Sequence, residues 1–267
     1  MTLDSERRSP LQHRNRWGFG TGERPSIDLR RPEPPARSVE LSAEPAPVTF
    51  DPARAALVVV DLQNDFCAAG GWLASIGVDV SVLRPAIEHT AQMVPVARAA
   101  GLPVIWLNWG NRRDQANLPP GVAHVYDPAG TGVGIGYRMP GVESRVLTKG
   151  SWGAALVDEL SAEPNDIWVD KYRMSGFWDT GLDSILRNQR VDTLIFAGVN
   201  SDQCVYATLI DAACLGYDVV MLTDASATTS PPYCHDATIY NTRQCFGFTA
   251  TTPALISALT PATMKES

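Results

Sequence analysis

Cysteine is scarce in this 267-residue chain: Cys67, Cys204, Cys214, Cys234 and Cys245, with no CxxC pair among them. An odd number of scattered thiols argues against a disulfide framework and for a reducing compartment, so a cytoplasmic location is expected. Histidine is scarcer still, with four residues and no HxH or HExxH spacing. Adjacent Cys234 and His235 cannot chelate one ion in helical geometry, so no metal is expected. Basic residues do not exceed acidic ones: 22 against 29, a net charge of −7. That excludes a nucleic-acid footprint and a polybasic membrane contact. No apolar run approaches the roughly 20 residues that a membrane helix needs, and the N-terminus lacks the apolar core of a signal peptide. What is present, 45% hydrophobic and 19% charged residues, suits one large α/β domain acting on a small molecule.

Residues 1–48 are rich in Arg, Pro, Glu and Ser and carry no periodic apolar pattern. They read as an N-terminal extension, either a solvated tail or an arm pegged down by Trp17 and Phe19. The domain proper is expected over residues 49–267. Short apolar runs at 55–60, 104–107, 167–169, 193–197, 218–222 and 246–250 read as strands, being too short for helices and rich in Val, Ile and Leu. Helices are expected at 82–100, closed by Gly101, and at 156–160, 182–188 and 234–242. A further helix carries Cys204 in its first turn, where Val205, Leu209, Ala212 and Ala213 repeat at helical spacing. This β-α alternation implies a mostly parallel sheet with helices on both faces. Between Trp109 and Val146 the pattern lapses into Asn, Arg, Pro and Gly, a connection long enough to be a lid or a subunit contact. Its glycine run, Gly130, Gly132, Gly134 and Gly136, is not a dinucleotide fingerprint, because no strand precedes it and Pro140 follows where a helix should open.

Three side chains fall at strand ends that point the same way in a parallel sheet: Asp61, Lys171 and Cys204. Carboxyl ends of parallel strands are where such folds carry chemistry. A thiol in the first turn of a helix sits where unpaired N–H groups and the helix dipole favour a thiolate. An ammonium beside it stabilises that form, and a carboxylate in reach can take the thiol proton and later hand it to a leaving amine. Lysine occurs only as Lys149, Lys171 and Lys265, which sets Lys171 apart. Each residue also has a structural reading: a cysteine that only packs, an aspartate capping the next turn, a plain Asp61–Lys171 ion pair. The competing design, cysteine with histidine, finds no histidine at a strand end: His89 falls in a helix, His124 in the long loop, and His235 on a later helix.

The runs VVVDLQNDF (58–66), KYRMSGFWDTGL (171–182) and GVNSDQCVYATLIDAACLGY (198–217) resemble, in order, three signature blocks of the isochorismatase-like cysteine hydrolases, over about residues 50–252. The resemblance implies a three-layer α/β/α, doubly wound fold on a mostly parallel six-stranded sheet. It also implies Asp61 as proton shuttle, Lys171 as thiolate partner and Cys204 as nucleophile. A cis peptide at Val199–Asn200 and an oxyanion hole from the N–H groups of Asn200 and Cys204 follow from it as well. Position 200 holds asparagine where many members have Ala or Thr, so a side chain of a different kind enters that corner.

The flanking segments, such as TKGSWGAALVDEL, are most similar to ureidoacrylate amidohydrolases, and RRDQANLP is similar to biuret hydrolases. The implied activity is cleavage of the C–N amide bond of a small ureide or carbamoyl amide through a Cys204 thioester, releasing ammonia or an amine, with no cofactor. Nicotinamidases are less similar, since residues 108–114 hold no histidine, and enzymes that hydrolyse isochorismate lack the cysteine. An amidohydrolase of N-carbamoyl amino acids or aryl amides, and a non-catalytic binding protein of the same fold, are the alternatives. Phe66, Asn108, Trp109, Tyr172 and Phe177 flank the strand ends as candidate substrate contacts, equally readable as core or loop packing. A homodimer or homotetramer is expected.

Overall fold

A computed structural model describes residues 15–20, 26–31, 33 and 35–260. Six strands form its central sheet: β1 Ala55–Val60, β2 Val104–Trp109, β3 Ile167–Lys171, β4 Thr193–Val199, β5 Asp218–Ala227 and β6 Phe248–Ala250. Every residue of β1, β2 and β4 is buried, as continuous apolar strands covered on both faces require. The order across the sheet is β6-β5-β4-β1-β2-β3, and all five pairings are parallel. This is the doubly wound arrangement. Its order reverses between β1 and β4, which opens a crevice outside their carboxyl ends.

Helices flank the sheet, among them α1 Arg84–Ala100, α2 Leu182–Asn188, α3 Tyr206–Cys214, α4 Pro232–Asn241 and α5 Thr252–Leu259. α1 buries Ala86, Ile87, Thr90, Met93, Val94 and Ala97, one stripe at helical spacing. It ends at Gly101, whose φ of 83° is the left-handed cap that glycine adopts without strain. α1 lies against β4, β5 and α5. The architecture is three-layer α/β/α, as the sequence pattern implies. Among the described residues no helix is long and apolar enough to cross a membrane.

Several elements differ from the sequence expectation, among them a helix at Pro120–Tyr126 in the long loop and a last strand that begins at Phe248. Residues 156–160 form no helix, because the Val157 N–H bonds the Leu62 carbonyl and Leu156 bridges Gln63; the segment is drafted against the turn after β1. β5 runs on to Ala227, since beyond a bulge Gly198 and Val199 of β4 pair with Ser226 and Ala227. α5 was not expected, although the Thr251 side chain caps it and Pro253 stands in its first turn.

From Val39 onward the N-terminal segment is folded onto the sheet. Val39–Leu41 pairs antiparallel with Val48–Phe50, Leu41 is fully buried, and Glu44 exchanges two backbone hydrogen bonds of 2.9 Å with Thr249 of β6. Trp17 and Phe19 stand 47% and 78% exposed, with the Arg31 guanidinium over the Trp17 ring.

Candidate active site

Asp61, Lys171 and Cys204 meet at the crevice between β1 and β4. Asp61 follows β1 in the left-handed region, φ 52°, a conformation that aspartate tolerates better than most side chains. Its N–H bonds the Leu107 carbonyl, and its Oδ1 accepts the Trp109 N–H at 3.1 Å. The Gln63 amide clasps the same Trp109 backbone from both sides, donating to its carbonyl at 2.8 Å and accepting its N–H at 2.9 Å. The carboxylate and the end of β2 are thereby held in one register.

Lys171 closes β3. Alternation along a strand sends side chains to opposite faces, and the pairing of Lys171 with Trp109 places both on the same face. The ammonium lies 4.2 Å from the centre of the indole ring. Nζ is 2.8 Å from Asp61 Oδ2 and 3.2 Å from Cys204 Sγ, and it also donates to the Arg173 carbonyl at 3.3 Å.

Cys204 sits in a π-helical turn, Ser201–Val205, that leads into α3. The Val199–Asn200 peptide before it is cis, and the Asn200 N–H has no acceptor among the described residues. Gly198 makes the close approach to β1: a Cβ there would stand 2.0 Å from the Val60 carbonyl oxygen, at a φ of 123°. Thr208, one turn on, donates to the Cys204 carbonyl and accepts the Gly176 N–H, tying the loop after β3 to the helix that carries the thiol.

The cluster is closed to solvent: Asp61 is 1% exposed, Lys171 0% and Cys204 4%. Burial pushes the Asp61 carboxyl up, against the pull of Lys171. Burial likewise pushes the Cys204 thiol up to about 12; Lys171 draws it down, Asp61 drives it further up, and the Trp109 indole N–H draws it down. Burial therefore opposes the thiolate that a helix N-terminus favours, and the Lys171 ammonium works against burial.

The other candidate residues separate into two groups. Trp109 touches the cluster, and Phe66 is buried, edge-on to Trp72 with ring centroids 6.5 Å apart. Asn108 is fully buried, but alternation along β2 turns it to the face opposite Trp109, where neither end of its amide has a partner. Tyr172 lies under Arg173 and donates to the Asp179 carbonyl, and Phe177 stacks on Tyr217; neither meets the sulfur. Two of the candidate histidines have other partners: His235 Nδ1 is 2.8 Å from the buried Ser201 hydroxyl, and His89 lies beside Asp224.

Four contributors lay outside the sequence reading: Gln63, Met174 with its sulfur 3.7 Å from Sγ, and Trp72 and Tyr126, which continue the aromatic wall from Trp109. Gln63 carried a signal in its place two residues beyond Asp61. Tyr126, on a one-to-two-turn helix inside the long loop, carried none.

The fold and this cluster define a class. Residues 55–254 match the isochorismatase domain, and the chain belongs to that family of isochorismatase-like hydrolases. Among solved structures it is similar to a cysteine hydrolase from Pseudomonas syringae pv. phaseolicola 1448A, 26% identical over 79% of this chain and 94% of the other, with a TM-score of 0.66. An isochorismatase family protein from Desulfovibrio vulgaris subsp. vulgaris str. Hildenborough is 27% identical over 77% and 98% of the two chains, TM-score 0.61. N-carbamoylsarcosine amidase from Thermoplasma acidophilum is 25% identical over 74% and 96%, TM-score 0.56.

Proposed function

We propose that this protein is a cysteine amidohydrolase that cleaves a C–N amide bond of a small ureide or carbamoyl amide, with Asp61, Lys171 and Cys204 as its catalytic residues. The observation that carries the reading is the buried Lys171 ammonium, 2.8 Å from one partner and 3.2 Å from the other. Such a cation holds a carboxylate and a sulfur together in a site closed to bulk solvent, which suits proton exchange between them.

The thiol proton passes to Asp61 as sulfur attacks the substrate carbonyl. The N–H groups of Asn200 and Cys204 receive the oxyanion, which is stabilised where charge develops. Collapse breaks the C–N bond, and Asp61 returns the proton to the departing nitrogen, leaving a thioester on Cys204. Water, deprotonated by Asp61, then releases the acid and restores the thiol. Every proton is handled by the chain itself, and the reading needs no cofactor.

The similarity to N-carbamoylsarcosine amidase favours one second reading, an N-carbamoyl amino acid as substrate. Ammonia release from ureidoacrylate, biuret, N-carbamoyl amino acids, nicotinamide and simple amides decides between them, with Cys204→Ser as control. A kcat/KM of about 10⁴ M⁻¹s⁻¹ or more on one compound, lost in the variant, supports the reading. Cleavage of none of them, or substantial activity left in Cys204→Ser, overturns it. A homodimer or homotetramer belongs to the same reading, since Tyr233 and Tyr240 of α4 stand 70% and 64% exposed; a monomer by light scattering would contradict that part.

A further inference from the structure

One neighbour of the nucleophilic sulfur differs in kind from the others. Cys204 Sγ lies 3.2 Å from Lys171 Nζ and 3.7 Å from Met174 Sδ, and Asp61 and the Trp109 indole act on it as well. Lys171, Asp61 and Trp109 are each 1% exposed or less. Each is also tied down, the first two by their ion pair and the third by the Gln63 amide on its backbone. Met174 is partly exposed. It is the neighbour through which a sulfur only 4% exposed faces solvent.

The main chain on both sides of Met174 is fixed. Before it, the Arg173 carbonyl accepts from Lys171 Nζ at 3.3 Å, and the Arg173 guanidinium pairs with Asp179 at 3.0 Å. After it, Ser175 is buried and the Gly176 N–H donates to the Thr208 hydroxyl at 3.0 Å. A Cβ on Gly176 would stand 2.4 Å from the Leu107 side chain, so this stretch cannot shift toward β2. The Met174 side chain is under no such constraint: it has three rotatable bonds and a thioether that accepts only weakly. The sulfur lies under a movable cover on a fixed base.

A carbonyl carbon poised for attack stands roughly 3–3.5 Å from its nucleophile, and on the solvent side of Cys204 that space adjoins the Met174 thioether. We infer that Met174 determines the size of the acyl group that Cys204 takes up. This rests on the amidohydrolase reading and gives its substrate a direction. A compact acyl group, of acetyl or carbamoyl size, goes onto the sulfur beside the displaced thioether, and the bulk of the molecule leaves with the nitrogen. A longer acyl chain needs the space that the methionine side chain fills.

The test uses p-nitrophenyl acetate and p-nitrophenyl butyrate, which share a leaving group and differ only in the length of the acyl chain. Sγ bonds to the ester carbonyl carbon, the thiol proton passes to Asp61, and the C–O bond to nitrophenolate breaks, so the burst of nitrophenolate reads acylation. Rates are taken in the full-length protein, in Met174→Ala and in Met174→Leu, less the rate in Cys204→Ser, and the mass of the Cys204 peptide identifies the adduct. The parent is expected to favour acetate by about 10-fold or more. Met174→Ala should lower that preference at least about fivefold, chiefly by speeding butyrate, whereas Met174→Leu, which nearly conserves volume, should keep it. A merely structural methionine would change both esters together and leave the ratio unmoved. A smaller fall in Met174→Ala, an equal fall in Met174→Leu, a parent without preference, or no acylation of Cys204 in Met174→Ala overturns the inference. The esters report on the thiol whether or not any amide is cleaved. Failure of the whole ureide and amide panel would therefore sink the amidohydrolase reading, while the ester ratio still decides the role of Met174.

Discussion

Replacing Lys171 by methionine separates what the buried ion pair does for stability from what it does for chemistry. Methionine keeps the length of the side chain and much of its volume, so the change is one of charge. At 2.8 Å from Asp61 and an effective dielectric of about 20, the attraction amounts to about 6 kcal/mol before desolvation is counted. Breaking one side of a buried pair typically costs about 3–5 kcal/mol, because the remaining charge is left uncompensated. That remaining charge can escape by taking up a proton. Asp61 is already raised by burial and rises further once the cation is gone. A carboxyl raised in the folded state contributes stability below its unfolded value, about pH 4, and loses that contribution as pH climbs through the folded value. Lys171→Met should therefore approach wild type near pH 4 and fall behind by about 3–5 kcal/mol at pH 8, as read from urea midpoints at fixed m-value. In the same protein Cys204 loses the cation that draws its thiol down. A loss of about 4 kcal/mol at the transition state corresponds to about 10³-fold in kcat/KM, and iodoacetamide labelling should slow at least about tenfold. Adding Asp61→Leu should restore most of the stability and none of the turnover. A deficit that does not change with pH, or a thiol that still alkylates at the parent rate, would refute the reasoning.

Three further outcomes follow from the same geometry. Asp61 must be ionised to accept the thiol proton and is raised by burial, so the acid limb of kcat/KM should lie above the ordinary aspartate range near pH 4; Asp61→Asn should cut the rate about 10²- to 10⁴-fold and abolish the limb, and a limb that persists in the variant would assign it to another group. Asp65 is fully buried and pushed up to about 6 by burial, so its stabilising contribution is present below about pH 4 and lost as pH rises through 6. Asp65→Asn, neutral throughout, should match wild type near pH 4 and exceed it by about 1–3 kcal/mol at pH 8, and thermal melts showing no gain there would count against this. Gly198→Ala should cost about 3 kcal/mol or more, since the new methyl meets the Val60 backbone at 2.0 Å with φ at 123°; a melting temperature like wild type would mean that β1 and β4 can part at no cost.

What could be read from the residues, and what could not, divides along the range of the interactions. β1 and α2 were legible to the residue, because a continuous apolar run and a helical stripe are local patterns. The three cluster residues were legible because each lies at the end of such a run, and a parallel sheet brings those ends together. Residues 156–160 have helix-forming side chains, but the backbone of Leu62 and Gln63 claims them, a long-range pairing that no local window contains. Asn108 looked equivalent to Trp109 beside a strand end, yet one step along a strand reverses the face, and only the register with β3 says which of the two meets Lys171. Tyr126 depended on the whole loop being wrapped by Asp127, Trp72 and Gly134, so its position is a property of the folded loop and not of its own helix.

The bridge between Glu44 and Thr249 also bears on how this protein keeps to itself in a crowded solution. β6 is a three-residue margin of the sheet, and an open margin is a template on which a second chain can add a strand. Glu44 occupies both backbone groups of Thr249, and Arg243 fastens the seam, pairing with the Glu44 carboxylate at 2.6 Å and donating to the Thr249 hydroxyl. The segment ahead of β1 is thus a hem. A version trimmed to begin at Ala55 would keep every member of the Cys204 cluster and lose that hem, and the loss would appear as turbidity on standing before it appeared in any assay of turnover.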